Sequence, residues 1–289
     1  MFPNSLTVSI SAPVNGFVDW LVITHGDSFQ IFSDSLLGIL VLFESFLRSA
    51  PWWLILLLIG LCVFVASRRW ILSLGLMALS SLMGVLGLWD EAMQTLALML
   101  VATTLAVIMG FPVGLILSRS RLTRLIGLPI LDAMQTLPSF VYLIPALMLF
   151  GLGKVPAIIA TVIYAIPPVI RLVDLGLRQV DQQVLEAADA FGATPSQRLW
   201  KVELPLALPS IMAGINQATM MALSMVVIAS MIGNRGLGQE VLLGINTLDV
   251  GRGAAAGLAI VAMAIVLDRT TQAYASRVQE SYGQRRQLV

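Results

Sequence analysis

Residues 182–205 read QQVLEAADAFGATPSQRLWKVELP, the longest strongly polar passage in the second half of the chain, with long apolar runs on both sides. Val184, Leu185, Ala188 and Phe191 recur at helical spacing, and Gly192 stands where a left-handed C-cap would end that helix. Thr194 reads as an N-cap, Pro195 as the first helical residue and Gln197 as the capping-box partner. Leu199, Trp200 and Val202 supply an apolar face before Pro205, which is expected to stop the second helix. Two short helices joined by a turn are predicted. A hairpin of this kind between membrane spans is either a plain surface element or a dock for a soluble partner.

Composition makes the flanking runs membrane spans. Of 289 residues, 58% are hydrophobic and 11% charged, whereas soluble chains carry about a quarter charged residues. The mean hydropathy is +0.90. An integral, all-α membrane protein is expected. The net charge of +1 offers no basis for nucleic-acid binding. Cys62 is the single cysteine, so no intramolecular disulfide forms, and the single histidine, His25, has no second His or Cys with which to share a metal. No cofactor or metal is expected. The opening residues, MFPNSLTVSI, lack a basic segment ahead of an apolar core and do not read as a cleaved signal peptide.

Taken in order, residues 1 to about 16 read as irregular. From Phe29 the positions Phe29, Phe32, Leu36, Leu40, Phe43 and Leu47 advance by threes and fours among Gln30, Ser33, Asp34, Glu44 and Arg48. The apolar part is short and interrupted, which predicts an amphipathic helix lying in the interface; a true first span is the competing reading. Spans are then predicted near 51–67, 70–88, 92–118, 128–150, 154–177, 207–233 and 251–272. The chain thus divides into an N-terminal extracytoplasmic segment (1–50), two peripheral spans (51–88), a core membrane domain (89–275) and a cytoplasmic tail (276–289).

The basic residues set the orientation. Arg68, Arg69, Arg119, Arg121, Arg124, Arg171, Arg178, Arg198, Lys201, Arg269, Arg277, Arg285 and Arg286 fall on one side; Arg48, Lys154, Arg235 and Arg252 fall on the other. The richer side is cytoplasmic by the positive-inside rule. The N-terminus is then outside, and the C-terminus and the 182–205 hairpin are inside.

Within the spans, Gly110 and Gly114 flank a proline kink at Pro112, and Gly253 and Gly257 form a second small-residue pair, both suited to close helix packing. Over 128–150, Asp132, Gln135, Thr136, Ser139 and Tyr142 make one polar stripe on an apolar helix bent by Pro138 and Pro145. Polar groups are costly against lipid, so the stripe faces the bundle interior, as part of a water-filled path or as interhelical hydrogen bonds. Asp132, near the cytoplasmic end, is either solvated or paired with a loop arginine. Pro167-Pro168 is expected to break the next helix ahead of an Arg171–Asp174 pair. The span after Pro209 offers Met220, Ser224 and Met225, an adaptable surface that suits a gate able to repack but reads first as ordinary core. Gln135, Ser139, Tyr142, Met220, Ser224 and Met225 are the candidate path residues. The chain carries no GxxxxGK[ST] loop and hence no ATP site of its own.

The spaced pattern Glu186-Ala187-Ala188, Gly192 and Leu204-Pro205 resembles the EAA loop of permease subunits in binding-protein-dependent ABC importers. The runs DAMQTLPSFVYLIPALMLFGLGKVPAIIATVIYAIPPVIRLVDLGLRQV and ALSMVVIASMIGNRGLGQEVL narrow it to the glycine betaine/proline/choline branch, over roughly residues 90–275. The resemblance implies a bacterial inner-membrane, multi-pass helical bundle of the ABC-importer permease type with about seven spans. It implies ATPase coupling through Glu186, Ala187, Ala188, Gly192, Ala193, Thr194, Leu204 and Pro205. It also implies a second copy of the chain, two ATP-binding cassette subunits of a kind often carrying CBS domains, and an extracytoplasmic binding protein. The cargo would be a quaternary amine such as glycine betaine, choline, carnitine or proline betaine. The N-terminal extension is shorter than in some members of that branch, so osmotic and nutritional uptake both stand open.

Three other readings compete with this one, two of them from other classes. An ABC permease for another small polar solute, such as an amino acid, would share the hairpin. An ion-coupled secondary transporter would show inverted repeats and acids at mid-membrane, yet most acids here lie in loops or near span ends. An intramembrane enzyme would need a convergent Ser/His, paired Asp or HExxH set, which these residues do not offer.

Overall fold

The computed structural model describes the main chain of residues 11–286 and the side chains of residues 11–277. Among the described residues it is helical, without strands: α1 (Ser11–Ser49), α2 (Trp52–Ser67), α3 (Trp70–Val85), α4 (Trp89–Arg119), α5 (Arg121–Thr136), α6 (Leu143–Phe150), α7 (Lys154–Arg178), α8 (Gln182–Ala190), α9 (Pro195–Arg198), α10 (Leu204–Ile228), α11 (Leu237–Thr247) and α12 (Val250–Arg286). Five stretches are long and apolar enough to cross a membrane: Ser11–Ser49, Trp89–Arg119, Lys154–Arg178, Pro195–Ile232 and Val250–Arg277. The pair Arg121–Thr136 and Ser139–Phe150, bent by 106°, makes a sixth if taken as one broken span. The remaining two of the expected spans are α2 and α3, apolar helices of 16 residues each, packed as a hairpin.

The core is a three-helix layer in which α7 lies between α4 and α10. Lipid tails are as apolar as leucine, so hydrophobicity alone does not press helices together there; close main-chain approach does. Gly114 supplies it on α4: a Cβ at this position would lie 2.7 Å from Val173 Cβ and 2.8 Å from the Ile170 carbonyl oxygen. Gly214 does the same for α10, where a Cβ would lie 3.2 Å from the Pro168 carbonyl oxygen. Val169 and Val173, pressed between the two neighbours, are fully buried. Outside this layer α1 packs on α4, α6 and α7, and α12 packs on α10, α11 and the α2–α3 hairpin.

Several expectations are corrected. Residues 11–16 are helical, because α1 starts well before Phe29 and runs unbroken to Ser49 with a stretch long enough to cross a membrane. Leu36 and Leu40 of its apolar face are buried, but so is Glu44, which sits between Lys154 and Arg48. The single helix expected over 128–150 breaks at Leu137, which is extended (ψ 135°) ahead of Pro138, as a residue preceding proline prefers. Pro167-Pro168 leaves α7 intact, and Pro205 stops nothing: it lies in the first turn of α10.

Arg171 and Asp174 do not pair with each other. Arg171 pairs with Asp132, and Arg124 Nε donates to Asp174 Oδ2 at 3.0 Å, so two ion pairs fasten α5 to α7. Of the second glycine pair, Gly257 faces open space, while α11 closes on Gly253 through Gly244. Residues 276–286, expected as a tail, continue α12. The rest of that tail, and the first ten residues of the predicted N-terminal segment, lie outside the described residues.

Gly114→Ala should destabilise the bundle by about 1–3 kcal/mol, the usual range for overpacking. Gly75→Ala, where an added Cβ meets nothing within 4 Å, should not. Thermal unfolding of the two variants in detergent checks the difference; equal melting temperatures would contradict the packing described.

Candidate functional site

The hairpin forms as its local chemistry dictates. The Asp181 carboxylate accepts from the Gln183 N–H at 2.9 Å and opens α8. Gly192 closes it at φ +77°, with the Gly192 and Ala193 N–H groups donating to the Asp189 and Ala188 carbonyls. A Cβ on Gly192 would meet nothing within 4 Å, so the requirement is for the left-handed backbone and not for space. The capping box at α9 is complete: Thr194 Oγ1 accepts from the Gln197 N–H at 3.3 Å, and Gln197 Oε1 accepts from the Thr194 N–H at 3.0 Å. Pro195 follows as the first helical residue.

What holds the hairpin to the bundle is a buried carboxylate. Past α9 the helix widens to a π turn over Leu199–Glu203, a distortion frequent at functional sites, and Glu203 points inward at 2% exposure. Arg198 Nε donates to Glu203 Oε1 at 3.0 Å, and both Nη atoms of Arg119, the last residue of α4, donate to the same carboxylate. Arg198 also donates to Asp189 Oδ2 at 2.8 Å. The chain Asp189–Arg198–Glu203–Arg119 therefore links α8, α9, the π turn and α4. Two carboxylates meet two guanidiniums, so the set balances its own charge. A carboxylate out of water needs such partners. Nothing in the periodicity marks Glu203 or Arg119, which lie 84 positions apart.

The outward surface of the hairpin differs from that anchor. Phe191 is 92% exposed at the turn and Trp200 65% exposed. Glu186 and Ala187 are exposed, Ala188, Ala193, Leu204 and Pro205 half-buried, and Thr194 exposed beyond its capping bonds. The pattern of eight residues thus splits into an outward set on α8 and at the Thr194 cap, and an inward set toward the bundle. Phe191 at the turn and Trp200 in the π turn thus leave two large apolar side chains uncovered on a polar hairpin, a feature that suits a partner surface.

The candidate path residues gather around the broken span. Gln135 is exposed near the end of α5, Ser139 is half-buried just past the break, and Tyr142 is buried. The Tyr142 hydroxyl donates to the Met134 carbonyl and so ties the two sides of the break together. The stripe does not share one helical face: Asp132, Gln135 and Thr136 sit on α5, Ser139 and Tyr142 on the 3₁₀ turn Ser139–Tyr142. That turn packs against α7 and α10. On α10, Met220 is half-buried, Ser224 is exposed with its hydroxyl donating to the Met220 carbonyl at 3.1 Å, and Met225 is fully buried in the core. Tyr164 of α7, not anticipated because it belongs to another helix, lies 6.1 Å from Tyr142 with the rings inclined at 54°.

The opposite end of the bundle holds a polar cavity of about 300 Å³. Arg48, Lys154 and Arg235 line it together with Glu44, Asp90 and Glu240, and Arg252 reaches Glu240 at 2.6 Å. The four cations that the sequence assigns to one side are thus neighbours in space, far along the helices from Arg119, Arg124 and Arg198.

Comparison with known proteins adds the following. Residues 102–280 match the family described as "Binding-protein-dependent transport system inner membrane component". The glycine betaine/carnitine transport permease protein of Listeria monocytogenes is 43% identical over 94% of this chain and 97% of that protein. The glycine betaine/proline betaine transport system permease protein of Escherichia coli is 46% identical over 93% of this chain and 75% of that protein. Among solved structures, an inward-facing methionine ABC transporter chain superposes with a TM-score of 0.58 over 64% of this chain and 92% of that chain, at 24% identity, and so shares the fold.

Glu203→Gln should loosen the hairpin by about 1.5–3 kcal/mol, the range for hydrogen bonds to charged groups. Limited trypsin digestion of the folded protein should then cut faster after Arg198 and Lys201 than in the parent, with Glu186→Gln, on the outward face, unchanged. Equal cutting in all three would show that the anchor does not hold the hairpin.

Proposed function

Because the chain belongs to the inner membrane components of binding-protein-dependent transport systems, we propose that it is the permease subunit of an ATP-driven importer for quaternary amines. The hairpin carries this reading: a rigid, capped element with Phe191 and Trp200 presented outward, tied by Glu203 to the end of α4. The chain is a multi-pass inner-membrane transport subunit and not an enzyme; ATP hydrolysis belongs to separate ATPase subunits. The names of the two relatives share glycine betaine and differ in carnitine or proline betaine. Glycine betaine is accordingly the first substrate to test, with choline, carnitine and proline betaine beside it.

In the assembly we envisage, two copies of the chain make the path, two ATPase subunits seat the hairpins, and an extracytoplasmic binding protein delivers the cargo. CBS domains on the ATPases would add regulation. Closure of the ATPases on ATP would push Glu186, Ala187, Ala188 and the Gly192 turn. Leu204 and Pro205 would carry the movement into α10, and Arg119 into α4. The path would open beside the broken span, past Gln135, Ser139 and Tyr142, with Met220 and Ser224 on α10 opposite; Met225, being core, would steady that wall. A quaternary ammonium is held best by aromatic faces, and Tyr142 with Tyr164 is one aromatic pair. High-affinity selection falls to the binding protein.

Proteoliposomes holding the permease with its ATPase, plus the binding protein, should take up glycine betaine only with ATP inside. Gly192→Val should abolish that uptake while membrane insertion is kept, because a β-branched residue is strained in the left-handed turn. Uptake that persists on ion gradients without ATP would refute the importer. Sidedness has its own test. In a Cys62→Ser background, an impermeant maleimide added outside intact cells should label Asn15→Cys and not Gln197→Cys. The reverse pattern would invert the orientation.

A further inference from the structure

We propose a site for the phosphate of an anionic membrane phospholipid between the α2–α3 turn and α12, independent of the transport function proposed above. The pocket has a volume of about 450 Å³ and is lined by Arg68, Arg69, Arg269 and Arg277 together with Ser67 and Gln272. Among the described residues, no carboxylate lines it. Asp268, beside Arg269, is already engaged by Asn216 at 2.9 Å and Gln272 at 2.6 Å. Four guanidiniums around one concavity repel one another unless an anion sits among them. Their fork of donors matches phosphate oxygens.

Three further observations fix the kind of anion. Arg269, Gln272, Ser276 and Arg277 share one face of α12, and Arg277 donates to the Val65 carbonyl in the last turn of α2, so the pocket wall is built across two elements. Arg68 ends α2 in the left-handed region at φ +54°, a position glycine takes more cheaply. A strained arginine there is expected where the side chain is used. Depth is the third. With 16 residues each, α2 and α3 span only about 24 Å, short of a hydrocarbon core of about 30 Å. In a hairpin that crosses the hydrocarbon core, helices this short would bring the arginine turn to the level of the lipid phosphates. Trp70, 65% exposed beside it, suits the same headgroup layer. Basic pockets between helices at that depth hold anionic headgroups.

Free phosphate offers the same chemistry without the acyl chains, so the test separates them. The full-length chain, purified in mild detergent, is loaded with phosphatidylglycerol and examined by native mass spectrometry. The parent should retain the lipid, and retention should weaken about fivefold for each arginine removed in Arg68→Gly and Arg269→Gln. Glycine suits the left-handed turn, so Arg68→Gly keeps the fold while losing the charge. Arg252→Gln at the other end should behave as the parent. Equal retention by the parent and both pocket variants overturns the site. Equal retention of phosphatidylcholine overturns its preference for anionic lipid, and displacement by inorganic phosphate alone overturns the lipid as its ligand.

Discussion

The structure depends first on main-chain proximity along α7. In a solvent of hydrocarbon tails, a helix gains little by trading lipid for another apolar surface, so α4 and α10 can hold α7 only by approaching until dispersion and weak polar contacts count. Gly114 and Gly214 permit that approach. Everything the chain positions follows from this layer: the ends of α4 and α7 and the beginning of α10 meet at one place, and the hairpin is strung across it. The broken span, the N-terminal helix and the α2–α3 hairpin are added around the outside.

Charge then distributes the labour between the two ends. At the hairpin end, Glu203 takes two arginines, and α5 is stapled to α7 through Arg124–Asp174 and Arg171–Asp132. At the other end, Glu44 of α1 and Asp90 of α4 take Lys154 and Arg48. Each buried acid sits where two or more helices converge, so the ion pairs specify which helix ends belong together more than they add net stability. Glu44, Asp174 and Glu203, the three buried ones, would remain desolvated and unpaired without their cations, which makes the partner choice strict there.

How much of this is legible in the sequence depends on the range of the chemistry. The Thr194 capping box and the Gly192 turn are decided by neighbours a few positions away, and they stand in the structure as read; the Asp181 cap, equally local, is not anticipated from the sequence. The proline readings divide on a physical point. Leu137 yields to Pro138 because a bent span can satisfy its freed backbone through the Tyr142 hydroxyl. Across Pro167-Pro168, surrounded by α4 and α10, the rest of the backbone keeps its helical bonds, since a break in a dry interior would leave groups unpaired. Pro205 reads as a stop in sequence, yet proline is at ease in the first turn of a helix. Glu203 with Arg119, and Arg124 with Asp174, escape a linear reading altogether. Periodicity tells which face a charge occupies, and it does not tell which distant helix supplies its partner.

The continuity of Pro195–Ile232 has a mechanical consequence. The 38 residues from α9 through the π turn and α10 form one rod, about 57 Å long at 1.5 Å per residue. Its short arm lies in the hairpin and its long arm runs the depth of the bundle, with the fulcrum near Glu203. A rotation of only about 5° about that point moves the far tip by several ångströms, given the rod's length. A small thrust at the hairpin would thus become a larger sweep at the opposite face, with the ratio of the two arm lengths setting the gain.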